Sequence, residues 1–283
     1  MEIIKTVRDM QDFSESLRLR GKRIAFVPTM GYLHDGHLGL MKAGKKRADC
    51  LVTSIYVNPT QFGPDEDLDK YPRDFERDEA LSQDVGVDVI FYPPNSQMYP
   101  ENYQTYVNLE NVTNNLCGLT RPVHFRGVAT VCAKLFNIVK PHVTIFGRKD
   151  FQQLVVIKRM VADLNMDIEV VGMPTVREPD GLAMSSRNAY LKEGERGSAL
   201  SLSRSLKLAR SLYDQGQRNA GTIIKEVKNF IEKHLGTRID YVKICDVETM
   251  KDVEHLEKRS VLALAVWVGT PRLIDNYVFG ENE

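Results

Sequence analysis

Between residues 23 and 171 the chain repeats one pattern: a short apolar run, a turn rich in Gly, Pro or charge, then a helical stretch. The apolar runs fall at 23–27, 51–57, 87–92, 143–146 and 168–171. Each has strand length and few polar interruptions, as a strand buried on both faces does. Amphipathic spacing predicts helices over 9–20, 38–46, 74–85, 128–139 and 151–164. Parallel strands need crossover connections, and helices used as crossovers cover both faces of one sheet. The expected fold is therefore α/β, a doubly wound parallel (Rossmann-like) sheet. Ligands of such a sheet bind outside the carboxyl ends of its strands.

After Pro174 the texture changes. Pro179-Asp180-Gly181 is a turn signal, 193–215 and 222–235 read as helices, and 241–245, 261–268 and 273–278 read as strands. Helices grouped ahead of strands describe a second, smaller α+β domain at the C-terminus. The boundary is placed at residue 176, giving domains of 1–176 and 177–283. Residues 93–127 read as an irregular excursion with short β-like pieces such as Thr105-Tyr106-Val107. A long polar excursion in a compact domain is more often functional than structural.

Charge narrows the function. Lys and Arg number 38 and Asp and Glu 38, so the formal net charge is zero. General nucleic-acid binding needs a basic surplus and is not expected. No apolar run reaches the ~20 residues of a membrane helix, and residues 1–9 lack an apolar signal core. The four cysteines, Cys50, Cys117, Cys132 and Cys245, show no Cys-x-x-Cys spacing. Zinc and redox motifs are therefore not expected, and a reduced, cytoplasmic protein is.

The most chemical turn follows the first apolar run: Pro28-Thr29-Met30-Gly31-Tyr32-Leu33-His34-Asp35-Gly36-His37. Its glycines allow close approach of backbone to a phosphate, and the helix that follows offers N–H groups and a positive dipole end. His34 and His37 at the head of that helix can point into one anion site. A metal site and a plain structural turn fit the same residues. Two further turns fall at the same end of the sheet. One contributes Asn58 and Gln61; the other contributes Lys149 and Asp150 with Gln153 one helical turn on. Lysine at a strand end suits a phosphate, and glutamines suit a hydroxylated substrate. Met184-Ser185-Ser186-Arg187-Asn188 sets two hydroxyls beside a guanidinium, a set that serves outer phosphates or a helix cap.

In order, Thr29-Met30-Gly31-x-Leu33-His34-x-Gly36-His37, Asn58-Pro59-x-Gln61-Phe62, Tyr71-Pro72-Arg73, His124-Phe125-x-Gly127-Val128, Gly147-x-Lys149-Asp150-x-Gln152-Gln153 and Asp180-Gly181-Leu182-Ala183-Met184-Ser185-Ser186-Arg187-Asn188 resemble the pantothenate synthetase (pantoate–β-alanine ligase) family. The His-x-Gly-His element by itself marks the wider nucleotidyltransferase superfamily. Arg148 departs from the pattern, where a glutamate is expected. The resemblance implies an AMP-forming ligase that makes pantoyl adenylate from ATP and pantoate and then joins it to β-alanine. It implies Mg²⁺ with ATP, a homodimer, and a C-terminal domain acting as a lid. It assigns catalysis to His37, His34 and Lys149, with His37 as a proton donor. ATP would meet Met30, Gly31, Tyr32, Leu33, His34, Asp35, Gly36, His37, Gly147, Arg148, Lys149, Asp150, Val176, Met184, Ser185, Ser186 and Arg187. Gln61 and Gln153 would hold pantoate or β-alanine. Two rivals share the fold: an adenylyltransferase acting on a phosphorylated acceptor, and a nucleotide-binding regulator without turnover.

Overall fold

In the computed structural model, which describes residues 1–64, 66–256 and 259–281, six parallel strands form one sheet. They are β1 (Glu2–Ile4), β2 (Ile24–Thr29), β3 (Cys50–Ile55), β4 (Val89–Phe91), β5 (Val143–Gly147) and β6 (Glu169–Met173), in the order β1-β4-β3-β2-β5-β6. The helices along this part of the chain are α1 (Val7–Leu19), α2 (Asp35–Lys45), α3 (Phe75–Asp84), α4 (Asn95–Met98), α5 (Cys117–Thr120), α6 (His124–Val139) and α7 (Phe151–Asp163). The strand order reverses between β2 and β5, where Ala25 pairs with Val143 and Phe26 with Thr144. A reversal of this kind opens a crevice at the strand ends, the ligand position of doubly wound sheets.

Compact packing divides the chain into two units. The first gathers Met1–Leu109, Arg121–Arg148 and Val156–Met173; the second gathers Glu110–Thr120, Lys149–Val155 and Pro174–Glu283. A single cut at 176 does not describe this division, because the second unit takes in two earlier segments. Gln152 explains their union: its side chain accepts from Cys117 N at 3.1 Å and donates to Val112 O at 3.0 Å and Asn115 O at 2.8 Å.

In the first unit the core holds Val27, Leu33, Met41, Leu51, Ile90 and Ile145, all fully buried. The second unit has α8 (Arg196–Asp214) and α9 (Ala220–Glu232) packed on an antiparallel sheet, β7 (Thr237–Asp246), β8 (Ser260–Val268) and β9 (Arg272–Val278), in that order. Apolar positions of α9 repeat at Ala220, Ile223, Val227 and Ile231, the spacing of one buried helix face, and all four are buried.

One strand is added and two local expectations change. The three-residue edge strand β1 was too short to show a pattern; its place comes from pairing Glu2, Ile3 and Ile4 with Val89, Ile90 and Phe91. Thr105–Val107 forms no strand, and Val107 N donates instead to Thr130 Oγ1 at 2.9 Å. Helix α6 starts at His124 rather than 128, so His124-Phe125-Arg126-Gly127 is its first turn.

Candidate functional site

Strand β2 ends at Thr29, whose hydroxyl donates to Ser54 O on β3 at 2.7 Å and accepts from Gly31 N at 3.2 Å. Gly31 has φ +81°, a left-handed conformation that other residues adopt only with strain. A Cβ there would lie 2.8 Å from Asp78 Oδ2 and 3.1 Å from Ile55 Cγ2. Asp78, on α3, is 1% exposed and accepts from Tyr32 N and Leu33 N at 2.7 Å each. Burial raises its pKa, and the bonds from Leu33 and Tyr32 pull the other way without cancelling the rise.

His34 is the N-cap of α2. Its Nδ1 accepts from Gly36 N at 3.2 Å, and His34 N donates to His37 Nδ1 at 3.3 Å. The two rings lie 4.1 Å apart between centroids. Each imidazole thus uses Nδ1 as an acceptor, which puts the proton of the neutral ring on Nε2. The turn differs here from the sequence expectation. The N–H groups of Gly31, Tyr32, Leu33, His34 and Gly36 are directed at protein acceptors. Leu33's side chain is core. Asp35 is exposed, and Met30 and Gly36 are half-buried.

The turn after β3 is a 3₁₀ helix, Pro59–Gln61, capped by Asn58. Asn58 Nδ2 donates to Gln61 Oε1 at 3.0 Å and to Gly127 O at 3.2 Å. Gln61 Nε2 is directed at Met30 Sδ at 3.1 Å, so two predicted site residues meet. Tyr99, whose phenol burial pushes up to about 12, keeps its proton and donates it to Asn58 Oδ1 at 3.0 Å. Gln61 O accepts from His124 Nδ1 at 3.0 Å and from Arg121 Nη2 at 3.3 Å. Gly127 lets α6 pass against this turn: a Cβ there would lie 2.3 Å from Thr60 O and 2.5 Å from Gln61 N. Asp78, Tyr99 and Arg121 were not singled out from sequence as support for these turns. Asp78 had one signal, since it shares the Phe75, Leu81 and Ser82 face of α3.

The remaining predicted residues are described within the second unit, apart from Gly147 and Arg148, which end β5 and follow it and are half-buried. Lys149 is half-buried and Asp150 exposed in a 3₁₀ turn. Lys149 O accepts from Asn276 Nδ2 on β9 at 2.8 Å. Gln153 is half-buried in the first turn of α7. Val176 and Met184 share a hairpin, with Met184 N donating to Val176 O at 3.0 Å. Ser185 Oγ accepts from Arg187 N at 3.2 Å, capping the 3₁₀ helix Ser186–Tyr190. Asn188 Nδ2 ties this helix to Ala183 O at 3.1 Å and Glu178 Oε1 at 2.8 Å.

A six-stranded parallel sheet with its order reversed at β2, and a turn at its strand ends whose two imidazoles close the cap of the next helix, defines a doubly wound α/β protein. Comparison with known proteins makes the assignment narrower. Residues 2–278 match the family of pantoate–β-alanine ligases. A pantothenate synthetase of Syntrophus aciditrophicus is 70% identical over 281 residues, covering 99% of this chain and 98% of its own. The crystal structure of pantothenate synthetase from Thermus thermophilus superposes with a TM-score of 0.92 at 42% identity, over 98% of this chain and 99% of that one. A pantoate–β-alanine ligase from Francisella tularensis, complexed with beta-gamma ATP and β-alanine, gives 0.81 at 31% identity, over 100% and 99%. The chain belongs to the pantoate–β-alanine ligase family.

Proposed function

We propose that this chain condenses pantoate with β-alanine in two steps. The pantoate carboxylate attacks the α-phosphorus of ATP, the bond to the bridging oxygen breaks, and pyrophosphate leaves. The β-alanine amine then attacks the acyl carbon of pantoyl adenylate, loses a proton and displaces AMP. A carboxylate is a poor electrophile toward an amine, and adenylation gives it a leaving group. The single observation that carries the reading is family membership over residues 2–278. The Francisella relative, complexed with an ATP compound and β-alanine, supports both substrates.

The residues take these roles. His34 and His37 donate from Nε2 to phosphate oxygens, where charge grows as pyrophosphate departs. Their Nδ1 atoms are engaged with Gly36 N and His34 N, which favours hydrogen-bond donation by the neutral rings. Lys149 supplies a positive point charge to the triphosphate. Ser185, Ser186 and Arg187 hold its outer phosphates, and Met30 and Val176 line adenosine. Gln61 and Gln153 hold pantoate. Gln61 Oε1 accepts from Asn58 and one Nε2 hydrogen is directed at Met30 Sδ, so the amide's second hydrogen is the donor that suits the oxygens of pantoate. Among the described residues no three His, Cys, Asp or Glu side chains gather as a metal cage. The family resemblance brings Mg²⁺ with ATP; a dication of this kind is held mostly by phosphates, whose charge it would neutralise when bound. A homodimer, a cytoplasmic location and a lid role for residues 177–283 complete the reading. Among the described residues no helix is long and apolar enough to cross a membrane.

Isotope exchange tests this. Pantoate alone should drive labelled pyrophosphate into ATP, with no need for β-alanine. Exchange that requires β-alanine, or that prefers a phosphorylated acceptor, rejects the adenylate reading. ATP binding without any exchange would return the regulator.

A further inference from the structure

Two parts of the phosphate assignment, Lys149 and Ser185–Arg187, lie far apart in sequence, yet both are held from adjacent residues of one strand. Asp275 on β9 is 3% exposed, and its carboxylate accepts from Arg177 Nη1 at 2.7 Å and Nη2 at 3.0 Å. Arg177 Nη1 also donates to Gly181 O at 3.2 Å. Across the hairpin Arg177 pairs with Ala183, the residue before Met184-Ser185-Ser186-Arg187. This guanidinium thus ties the base and the turn of the hairpin to β9.

The next residue, Asn276, faces the other side of the sheet, as strand alternation requires. Its Nδ2 donates to Lys149 O at 2.8 Å, and its backbone N donates to Asp275 Oδ1 at 2.9 Å. β9 is an edge of its sheet, and the Asp275 carboxylate meets this N–H there. A lysine reaches its target on a flexible four-carbon stem, so where its ammonium can go depends on where its backbone starts.

We propose that Asp275 and Asn276 are positioning residues for adenylation. Asn276 sets the backbone from which Lys149 reaches phosphate. Asp275, through Arg177, sets the hairpin that presents Ser185, Ser186 and Arg187. The inference rests on the assignment of Lys149 and the hairpin to phosphate made above.

The test is single-turnover pyrophosphate release by the full chain, with ATP and pantoate requirements measured separately. Asn276→Leu keeps the branched shape and removes the donor. It should slow adenylation about tenfold, the upper end of one neutral hydrogen bond, and leave the pantoate requirement and the thermal midpoint near wild type. Asn276→Gln, which keeps the amide, should recover part of the rate. Lys149→Ala should slow the step by ~10²–10³, the scale of one lost transition-state donor. On that background Asn276→Leu should add no more than about twofold, since groups acting through one another are not additive. A wild-type rate for Asn276→Leu, or equal slowing with and without Lys149, overturns the role of Asn276. A wild-type rate for Lys149→Ala rejects the phosphate assignment itself. For the second half, Arg177→Lys replaces the paired guanidinium by a point charge and should raise the ATP requirement but not the pantoate requirement. Equal effects on both substrates overturn the role of Asp275.

Discussion

The turn that bears His34 and His37 and the hairpin that bears Ser185–Arg187 are both assigned to phosphate, but different bonds hold them. The turn is gripped through its own backbone by the buried Asp78 carboxylate and by Thr29 on the sheet. The hairpin is gripped by side-chain ion pairs. Arg177 meets buried Asp275, and Arg196, 41% exposed, meets Glu178 and Asp180 at the hairpin's turn, the latter at 2.8 Å. Bonds to backbone inside the protein place atoms within narrow limits and are little affected by salt. Exposed ion pairs contribute less and are screened. The first region therefore has its geometry imposed by the core, and the second has part of its geometry set by charges that solvent reaches.

Substitutions can sharpen this contrast, and the largest effect on stability is expected at a third place held through backbone, the Thr60–Gln61 turn that Gly127 abuts. Gly127→Ala places a Cβ against the Thr60–Gln61 backbone, where neither side is a flexible side chain. Overpacking of this kind costs about 1–3 kcal/mol and occasionally more. The chain should melt at lower temperature, and the pantoate requirement should rise more than that for ATP. An unchanged pantoate requirement would show that α6 does not set Gln61.

Asp78→Asn comes next. One amide oxygen cannot replace two carboxylate oxygens, so Tyr32 N or Leu33 N loses its acceptor, at about 1–3 kcal/mol for a buried donor. Adenylation should slow by about tenfold or more, with the pantoate requirement unmoved. The pH dependence has a defined sign. The raised pKa means that the native state holds this proton more tightly than the unfolded chain. The stability contribution of Asp78 is then greatest in acid and falls as pH rises from the unfolded value through the native one. Denaturant titrations across the carboxylate range should show the wild type losing ground to Asp78→Asn as pH rises, then no further change. The opposite slope would mean that the two backbone bonds outweigh burial.

Arg196→Ala should be the mildest. Exposed pairs are worth about 0–1 kcal/mol, and salt removes much of that. The variant should show a small rise in ATP requirement at low ionic strength that vanishes at high ionic strength. A salt-independent loss as large as that of Asp78→Asn would erase the contrast between the two regions.

The thiols sharpen the same contrast between buried and exposed groups. Burial raises the pKa of Cys50 to about 11 and those of Cys132 and Cys245 to about 12. None should react with an alkylating reagent in the native state at neutral pH, because the thiolate is the reactive form. Mass spectrometry after brief labelling would detect a failure of this expectation.

Much of this protein was legible in the linear chain. Five of the six strands of the parallel sheet, the helices between them, the α+β texture after Pro174 and the positions of His34, His37, Asn58, Gln61 and Lys149 at strand ends follow from local periodicity and turn chemistry. Those signals are short-range, and neighbours in sequence carry them. The tertiary structure alone decided what holds those residues. Asp78 reaches Tyr32 and Leu33 from another helix, Tyr99 reaches Asn58 across the first unit, and Asn276 reaches Lys149 from the last strand. It also decided that the turn's N–H groups serve protein acceptors, and that α6 crosses a backbone closely enough to need Gly127. These are contacts between residues distant in the chain. No periodicity marks them, because a buried polar group is defined by the partner that folding brings to it.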